Sequence, residues 1–333
     1  MQTSHTGGRL VADIGGTNAR FGWQSGAGAT IEHVRTLVCA DHASLAGAFE
    51  DYLSHLAVAR PTVCAIGIAT PVTADLIRMT NNPWVFSQAE LRGNLGLDRL
   101  LVINDFTALA LAVPALPADA LRKVGVGATM AGAAIGVIGP GTGLGVSGLM
   151  ALEPARGNDT TYLPIAGEGG HVTLAAETSE EFAVLASIRQ RYGHASAERV
   201  ISGAGLLALY QALCEVRGHA ATGAISAADV TRMAIDASDA GCVDALQMFC
   251  GFLGSVAGNL ALTLGARGGV YIGGGIVPRL GRWFDKSPFR SRFESKGRFR
   301  SYLEAIPTFV IDAPESPALL GASRALDVPA LAQ

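Results

Sequence analysis

Short continuous apolar runs alternate along the chain with segments in which apolar residues recur every three or four positions. The run at 62–69 is typical of a strand, and the spacing at 44–59 is typical of an amphipathic helix. A fully apolar strand is expected where helices cover both faces of a sheet. The alternation therefore predicts an α/β protein, and a length of 333 residues favours two domains over one.

Composition and charge narrow the class of protein. Apolar residues make up 49% of the chain and charged residues 16%, with 42 glycines, which suits an α/β protein rich in glycine turns. The net charge is −3, and the arginines are scattered instead of forming a basic stripe. We therefore expect no nucleic-acid partner and no binding to an anionic membrane.

Three features bear on the compartment. The five cysteines include no Cys-x-x-Cys pair, and their odd number favours core residues of a reducing compartment over disulfides or a zinc site. Residues 1–8 lack the apolar core of a signal peptide. The apolar stretch at 242–266 is interrupted by polar residues and carries glycines at helical spacing, which predicts a buried helix and not a membrane span. We expect a cytoplasmic protein.

Two strand–turn–strand patterns contain similar glycine turns. The first turn is Gly15-Gly16-Thr17-Asn18, and the second is Gly139-Pro140-Gly141-Thr142-Gly143. The glycines can serve the turn alone, or they can expose backbone N–H groups to phosphate oxygens. Their repetition indicates a duplicated architecture with one phosphate-binding hairpin in each half. The sequence has no Walker motif and no lysine beside either turn, so a divalent metal becomes the expected charge partner of the phosphates.

An apolar run ends at Asn104 and Asp105, and a helical segment follows. Open α/β sheets place their ligand chemistry at the carboxyl ends of such strands. Asp105 can equally cap the following helix. The stretch alone leaves both interpretations open.

Polar residues on a tight glycine loop form a further candidate site. Glu168 and His171 stand in an E-x-x-H relation, but the two glycines between them disfavour the helix that a metal site of this type needs. The pair can converge on the hydroxyl groups of a polyol, or His171 can be a packed histidine. Glu198 stands beside Arg199, and a solvated ion pair is the default interpretation of these two residues.

Two other segments leave alternatives open. The loop 79–86 can contact a carbohydrate through its amides and Trp84, or it can be a common turn with a core aromatic residue. The glycines Gly273, Gly274 and Gly275 let a flat ring approach the backbone, although a tight strand-to-helix turn can require them as well.

Six motifs together resemble the bacterial glucokinases. They are Val11-Ala-Asp-Ile-Gly-Gly-Thr-Asn-Ala-Arg20, Ile103-Asn-Asp-Phe-Thr107, Gly139-Pro-Gly-Thr-Gly-Leu-Gly145, Gly167-Glu-Gly-Gly-His171, Ser196-Ala-Glu-Arg-Val-Ile-Ser-Gly203 and Gly273-Gly-Gly-Ile-Val-Pro278. The resemblance runs in one motif order from about residue 9 to about residue 325. The chain lacks the cysteine-rich zinc motif of ROK sugar kinases, so it is most similar to the zinc-free glucokinases.

The resemblance implies a two-domain actin-like ATPase fold, which is ribonuclease H-like, with a duplicated strand–hairpin–strand core. The small α/β domain would comprise 1–114 and 311–333, and the large α/β domain would comprise 115–310. The carboxyl-terminal strand and helix would return to the small domain, and the cleft between the domains would hold the active site.

The resemblance also implies a reaction and its residues: phosphorylation of D-glucose at the 6-hydroxyl by ATP and Mg²⁺, feeding glycolysis, by a homodimer. Asp105 would be the catalytic base, and the other sugar ligands would be Asn104, Glu168, His171 and Glu198. The ATP-binding positions would be Asp13, Gly15, Gly16, Thr17, Asn18, Gly141, Thr142, Gly143, Gly273, Gly274 and Gly275. Asp13 would hold Mg²⁺ directly or through water. The segment Asn82-Pro83 departs from the His-Thr of the family pattern.

Three alternatives use the same scaffold. The chain could phosphorylate another hexose, or it could be an actin-like ATPase without a sugar acceptor. A sugar-responsive repressor would need a basic helix-turn-helix extension, whereas only eight residues precede the first predicted strand.

Overall fold

A computed structural model describes residues 8–58, 60–152, 160–220, 223, 225–313 and 316–331. Residues 1–7, on which the expectation of no signal peptide mainly rests, lie outside this part of the chain. The strands are β1 (Arg9–Ile14), β2 (Asn18–Gln24), β3 (Glu32–Val38), β4 (Val63–Ile68), β5 (Leu76–Arg78), β6 (Val85–Ser87), β7 (Arg99–Asn104), β8 (Leu121–Val124), β9 (Ile135–Pro140), β10 (Leu144–Leu152), β11 (Thr161–Ile165), β12 (Val270–Ile272) and β13 (Thr308–Ile311). The α-helices are α1 (Leu45–Ser54), α2 (Gln88–Asn94), α3 (Asp105–Ala112), α4 (Ser179–Tyr192), α5 (Gly203–Val216), α6 (Ala227–Ile235), α7 (Ala240–Leu264), α8 (Val277–Leu280), α9 (Arg282–Asp285), α10 (Phe289–Glu294), α11 (Arg300–Glu304) and α12 (Pro317–Ala325).

The contacts of the chain divide it into two units. Unit 1 comprises Met1–Pro117, Ala151–Ala166 and Ala313–Gln333, and unit 2 comprises Ala118–Met150 and Gly167–Asp312. The division implied by the resemblance assigns 151–166 to the large domain, whereas the described residues of this segment, 151–152 and 160–166, group with unit 1.

Unit 1 is built on a five-stranded sheet in the order β3-β2-β1-β4-β7. The first hairpin, β1 and β2, is antiparallel, and β4 and β7 continue the sheet in parallel with β1. All six residues of β4 are buried, because α1 packs on one face of the sheet and α12 packs on the other. The apolar run at 62–69 is thus the doubly covered strand that the sequence predicts.

Unit 2 repeats this arrangement. The second hairpin, β9 and β10, is antiparallel, and β12 and β13 continue the sheet in parallel on the other side of β9. The edge strand β8 then pairs antiparallel with β13. The two sheets share a hairpin followed by two parallel strands, which confirms the predicted duplication.

One part of the predicted topology is wrong. The strand β13 does not return to the small domain, because it pairs with β12 and β8 in the sheet of unit 2. Only the helix α12 returns, and it packs on α3, β1 and β4 of unit 1. Unit 2 ends at Asp312, and the apolar pattern of the sequence carries no signal for a boundary between the units at this residue.

The long helix α7 lies in the core of unit 2. It is long and apolar enough to cross a membrane, but most of its residues are buried against α5, α6 and α10. Gly254 and Gly258 allow close packing, since a Cβ atom at Gly258 would lie 2.6 Å from the carbonyl oxygen of Phe293. The predicted buried helix is therefore confirmed. All five cysteines are buried with free thiols.

Candidate active site

Asn104 and Asp105 lie where β7 ends and α3 begins. The extended Asn104 is the N-cap of α3, since its Oδ1 accepts hydrogen bonds from the backbone N–H groups of Phe106 at 2.9 Å and Thr107 at 3.3 Å. Asp105 is the first helical residue and is half-buried, and its Oδ1 accepts the Phe106 N–H at 2.9 Å. The capping role thus falls mainly to Asn104. The amide nitrogen of Asn104 is the group of this side chain that can donate to a ligand.

Two glycines hold the first turn of α3 in place. A Cβ atom at Gly67 of β4 would lie 3.2 Å from Ala108 Cβ and 3.9 Å from the Asp105 Cα atom. A Cβ atom at Gly321 of α12 would overlap the carbonyl oxygen of Ala108. The backbone that carries Asp105 is therefore packed closely against both neighbouring elements.

Asp13 lies at the end of β1, beside the first glycine turn. Its Oδ2 accepts a hydrogen bond from Ser316 Oγ at 2.6 Å and lies 3.5 Å from Arg20 Nη1. Burial nevertheless raises the pKa of Asp13 above its ordinary value, against the lowering effects of Ser316 and Arg20. A carboxylate that is costly to bury is a candidate for function. Sequence reasoning missed Ser316, because no local pattern links it to a residue 303 positions earlier.

The first turn closes through a hydrogen bond from the Gly15 N–H to the Asn18 carbonyl oxygen at 2.9 Å. Thr17 and Asn18 are exposed at its tip. A Cβ atom at Gly16 would lie 2.6 Å from Asn81 Cβ. Packing alone is thus enough to require the glycine at position 16.

At the second glycine turn, packing does not require the absence of a side chain at Gly141. Apart from Gly141 and its two chain neighbours, no described residue has an atom within 4 Å of a Cβ atom built at Gly141. The Gly141 N–H donates to the Gly143 carbonyl at 2.8 Å, and the Gly141 carbonyl accepts the N–H of Gly203, the first residue of α5, at 2.9 Å. Thr142 is exposed at the tip of this turn. The missing side chain at Gly141 therefore leaves room that the described part of the protein does not fill.

The predicted adenosine region adjoins the second hairpin within unit 2. A Cβ atom at Gly139 would lie 2.6 Å from the Gly273 carbonyl carbon, and the Gly273 N–H donates to the Ile138 carbonyl at 2.9 Å. Gly274 has a φ of 77°, a conformation that favours glycine. Tertiary packing thus brings together two glycine clusters that are far apart in the sequence.

Glu198 connects the second hairpin to the glycine loop. Its Oε2 accepts the N–H of Leu144, the first residue of β10, at 2.9 Å, and its Oε1 lies 4.0 Å from His171 Nδ1. The Glu198 N–H donates to the Gly170 carbonyl at 2.8 Å. Arg199 lies instead over the ring of Tyr192, at 4.6 Å from its centroid. The default ion pair of Glu198 with Arg199 is therefore not the arrangement in the protein.

The glycine loop lies directly on β10. A Cβ atom at Gly169 would lie 2.8 Å from Val146 Cγ1, so this position has no room for a side chain. The exposed Glu168 accepts the His171 N–H at its backbone carbonyl, at 3.0 Å. The His171 side chain is 61% exposed, so it is not a packed core histidine. Glu168, His171 and Glu198 all lie in this part of unit 2.

The loop 79–86 packs against the first hairpin. Trp84 is only 2% exposed, and its Nε1 donates to the His42 carbonyl at 3.0 Å. Its ring is therefore a core element of unit 1, as one of the two interpretations of this loop predicts. Asn82 Nδ2 donates to the Gly15 carbonyl at 3.3 Å.

The chain is similar to known glucokinases in sequence and in structure. The family model for glucokinase matches residues 10–328. The glucokinase of Aromatoleum aromaticum is 54% identical over 320 residues, which cover 96% of this chain and 94% of that protein. A glucokinase structure from an Antarctic psychrotroph is 36% identical with a TM-score of 0.86, covering 96% of this chain and 98% of that one.

A more distant solved structure shares the fold alone. It is a ROK family glucokinase from Streptomyces griseus in complex with glucose and AMPPNP, 19% identical with a TM-score of 0.59, covering 95% of this chain and 98% of that one. The likeness to these structures confirms the predicted actin-like ATPase fold.

Proposed function

The chain belongs to the glucokinase family, and on that premise we propose that it transfers the γ-phosphoryl group of ATP to the 6-hydroxyl of D-glucose. One observation carries the proposal: Glu198 bonds to the Leu144 N–H at 2.9 Å and lies beside His171. A carboxylate and an imidazole suited to sugar hydroxyls thus adjoin the end of a glycine hairpin suited to phosphate. Glucose 6-phosphate, the product, would enter glycolysis.

Asp105 acts as the general base in this proposal. Phosphoryl transfer through a loose transition state asks the protein mainly for alignment and charge stabilisation. Asp105 would orient the 6-hydroxyl and take its proton, while the Asn104 amide donates to a sugar oxygen. Glu168, His171 and Glu198 would bind the remaining hydroxyls. An epimer of glucose misplaces one hydroxyl and loses the contact to it, so these sugar-binding residues would discriminate among hexoses.

The glycine turns bind ATP in this proposal. Backbone N–H groups and the Thr17 and Thr142 hydroxyls would contact phosphate oxygens. Gly273, Gly274 and Gly275 would lie against the adenosine. The complex of the Streptomyces griseus relative with AMPPNP supports ATP as the donor.

Asp13 fits Mg²⁺ as a single carboxylate ligand. Asp13 would hold the ion through its carboxylate, directly or through a water, while Ser316 donates a hydrogen bond to the same carboxylate. Among the described residues no group of three or more His, Cys, Asp or Glu side chains could hold a metal. Mg²⁺ commonly binds through one or two carboxylates together with substrate phosphates. Bound with ATP, it would neutralise charge on the phosphates.

A coupled ADP assay with Mg²⁺-ATP tests the proposal. Glucose, mannose, fructose, galactose and N-acetylated hexosamines are compared as acceptors, and ATP alone is the control. ADP release stimulated most strongly by glucose is expected. Stronger stimulation by another hexose would assign the chain to that sugar, and no stimulation by any hexose would favour an actin-like ATPase.

The proposal extends to assembly and location. A homodimer in the cytoplasm is proposed, as expected from the resemblance to bacterial glucokinases. Sedimentation equilibrium of the full chain measures the mass in solution, and a mass of one chain at micromolar concentration would contradict the dimer.

A matched pair of glycine variants tests the sugar site. In Gly143→Ala the new methyl group overlaps Glu198 Oε2, so this carboxylate must move. The KM for glucose is expected to rise about tenfold, equivalent to about 1.4 kcal/mol. Steady-state kinetics at saturating ATP measure the change.

Gly141→Ala is the control, because the alanine Cβ meets no atom of another described residue within 4 Å, apart from its two chain neighbours. It is expected to leave the KM for glucose unchanged and to raise the KM for ATP. If Gly143→Ala leaves the KM for glucose at the wild-type value, Glu198 does not bind the sugar. If Gly141→Ala leaves the KM for ATP unchanged, that glycine serves only the turn.

A further inference from the structure

The carbonyl oxygen of Gly15, in the first glycine turn, is held by side chains from two other segments. Asn82 Nδ2 donates to it at 3.3 Å, and Cys39 Sγ lies within bonding distance at 3.6 Å. The backbone N–H of Cys39 donates to the neighbouring Thr17 carbonyl at 2.8 Å. The Gly15 N–H already closes the turn by donating to the Asn18 carbonyl. The hairpin therefore does not need the Asn82 and Cys39 side chains in order to close.

The orientation of this carbonyl fixes the next N–H group. In a trans peptide the carbonyl and the following N–H point in opposite directions, and no described peptide bond is cis. With the Gly15 carbonyl turned toward Asn82 and Cys39, the Gly16 N–H must point away from both. Within the described ranges, no protein acceptor takes the N–H of Gly16 or Thr17. A fixed N–H without a protein acceptor is prepared for an anionic oxygen.

Asn82 is itself anchored. Its Oδ1 accepts the Trp84 N–H at 2.9 Å while its Nδ2 bonds to Gly15. Trp84 is fixed in the core of unit 1 by burial and by its bond to His42. The amide cannot rotate without losing one of its two bonds. Both polar atoms are therefore used within the protein, which argues against Asn82 as a sugar ligand.

We infer that Asn82 and Cys39 are positioning residues that preorganise the Gly16 N–H for a phosphate oxygen of ATP. The inference rests on the proposed binding of ATP at the first turn. The inference assigns the Asn82-Pro83 segment to the binding of ATP phosphates and not to the binding of the sugar. We call the Asn82 and Cys39 side chains that contact the Gly15 carbonyl the clamp. Preorganised donors stabilise charge without reorganising during the reaction, so loss of the clamp is expected to weaken phosphate binding selectively.

The variant Asn82→Asp tests the clamp with little change in shape. The carboxylate can still accept the Trp84 N–H, but it presents an oxygen instead of a donor to the Gly15 carbonyl. ADP binding measured by calorimetry is expected to weaken about tenfold, and the KM for ATP to rise by a similar factor. Inhibition by adenosine, which has no phosphate, and the KM for glucose are expected to stay within about twofold of wild type.

Asn82→Leu separates the lost donor from the added charge. The leucine variant adds no charge. If only the negative charge of the aspartate weakens ADP binding, Asn82→Leu should bind ADP as tightly as wild type. If loss of the clamp is the cause, both variants should bind ADP more weakly. Faster amide exchange at residues 14–19 in both variants, with global exchange unchanged, is the structural signature expected of a released turn.

Cys39→Ala provides a second test with a matched control. Cys39 and Cys64 are both buried in the same core of unit 1, but Cys64 lies on β4. Cys39→Ala is expected to weaken ADP binding about twofold to threefold, because a thiol is a weak donor. Cys64→Ala removes a similar volume and is expected to leave ADP binding unchanged.

The outcomes separate this inference from the proposed function. A wild-type chain that binds neither ATP nor ADP would contradict the proposed function itself. If wild type binds ADP and both Asn82 variants bind it equally well, the clamp is refuted. Equal weakening of adenosine and ADP would also refute it, since that result indicates general distortion. Should the Asn82 variants fail to fold, the comparison of Cys39→Ala with Cys64→Ala decides.

Discussion

Replacing Asp105 by asparagine is expected to lower kcat about 10²- to 10⁴-fold, the usual range for loss of a general base. Glucose and ATP should still bind with affinities within about twofold of wild type, because the variant keeps the size of the side chain and its amide can still hydrogen-bond to the 6-hydroxyl. The fold should also persist. Asn104, not Asp105, carries both capping bonds of α3, and an asparagine oxygen can still accept the Phe106 N–H.

Single-turnover and steady-state kinetics measure this effect, with glucose binding followed by calorimetry. Asp229→Asn is a matched control, because Asp229 is also a carboxylate in the first turn of a helix but belongs to the capping box of α6. The control is expected to keep wild-type kcat. Turnover of glucose by Asp105→Asn at the wild-type rate would remove Asp105 from the role of base.

Replacing Asp13 by asparagine is expected to lower kcat/KM for ATP about 10²- to 10³-fold, as removal of one preorganised electrostatic group commonly does. The physical reason is the loss of the carboxylate proposed to hold Mg²⁺. The hydrogen bond from Ser316 can be kept, since the asparagine oxygen is also an acceptor. Kinetics over a range of Mg²⁺ concentrations check the expected loss.

The same substitution should not lower the melting temperature at neutral pH. Burial raises the pKa of Asp13, so the folded chain binds this proton more tightly than the unfolded chain does. The free energy of unfolding contributed by Asp13 therefore falls as pH rises from the ordinary carboxyl pKa through the raised one. Asparagine does not ionise, so the free energy of unfolding of the variant does not fall with pH at this position.

Thermal unfolding at several pH values tests this expectation. The variant should match or exceed the wild-type melting temperature at neutral pH, and the difference should shrink on acidification, where Asp13 is protonated in both states. A lower melting temperature at neutral pH with unchanged activity would mean that Asp13 is mainly the structural partner of Arg20.

The sequence predicts much of the architecture, because its signals are local. The glycine turns and their flanking strands appear as β1–β2 and β9–β10, and the apolar helix at 242–266 appears as the buried α7. Alternation and helical spacing depend on which side of an element faces the core. They carry no information on which strand pairs with which, so the place of β13 in unit 2 could not be predicted.

The proposed site shows the same limit. Position marks Asp13 and Asp105 as carboxylates at the ends of predicted strands, whereas Glu198 becomes a candidate only through the resemblance to the glucokinases. Their partners are Ser316 for Asp13 and Leu144 for Glu198. These contacts join segments far apart in the chain, and they exist only because packing brings specific backbone and side-chain atoms within hydrogen-bonding distance.

The sequence by itself therefore determined most of the elements and the duplication, because each leaves a local pattern of polarity or of glycine. The roles of the candidate residues came from the resemblance of their motifs to the glucokinases. Only the tertiary structure decided that Asn104 takes the capping role and that Glu198 bonds to β10. It alone revealed that Asn82 and Cys39 hold the Gly15 carbonyl. Hydrogen-bond partners depend on distances and angles of a few tenths of an ångström, which the order of residues does not encode locally.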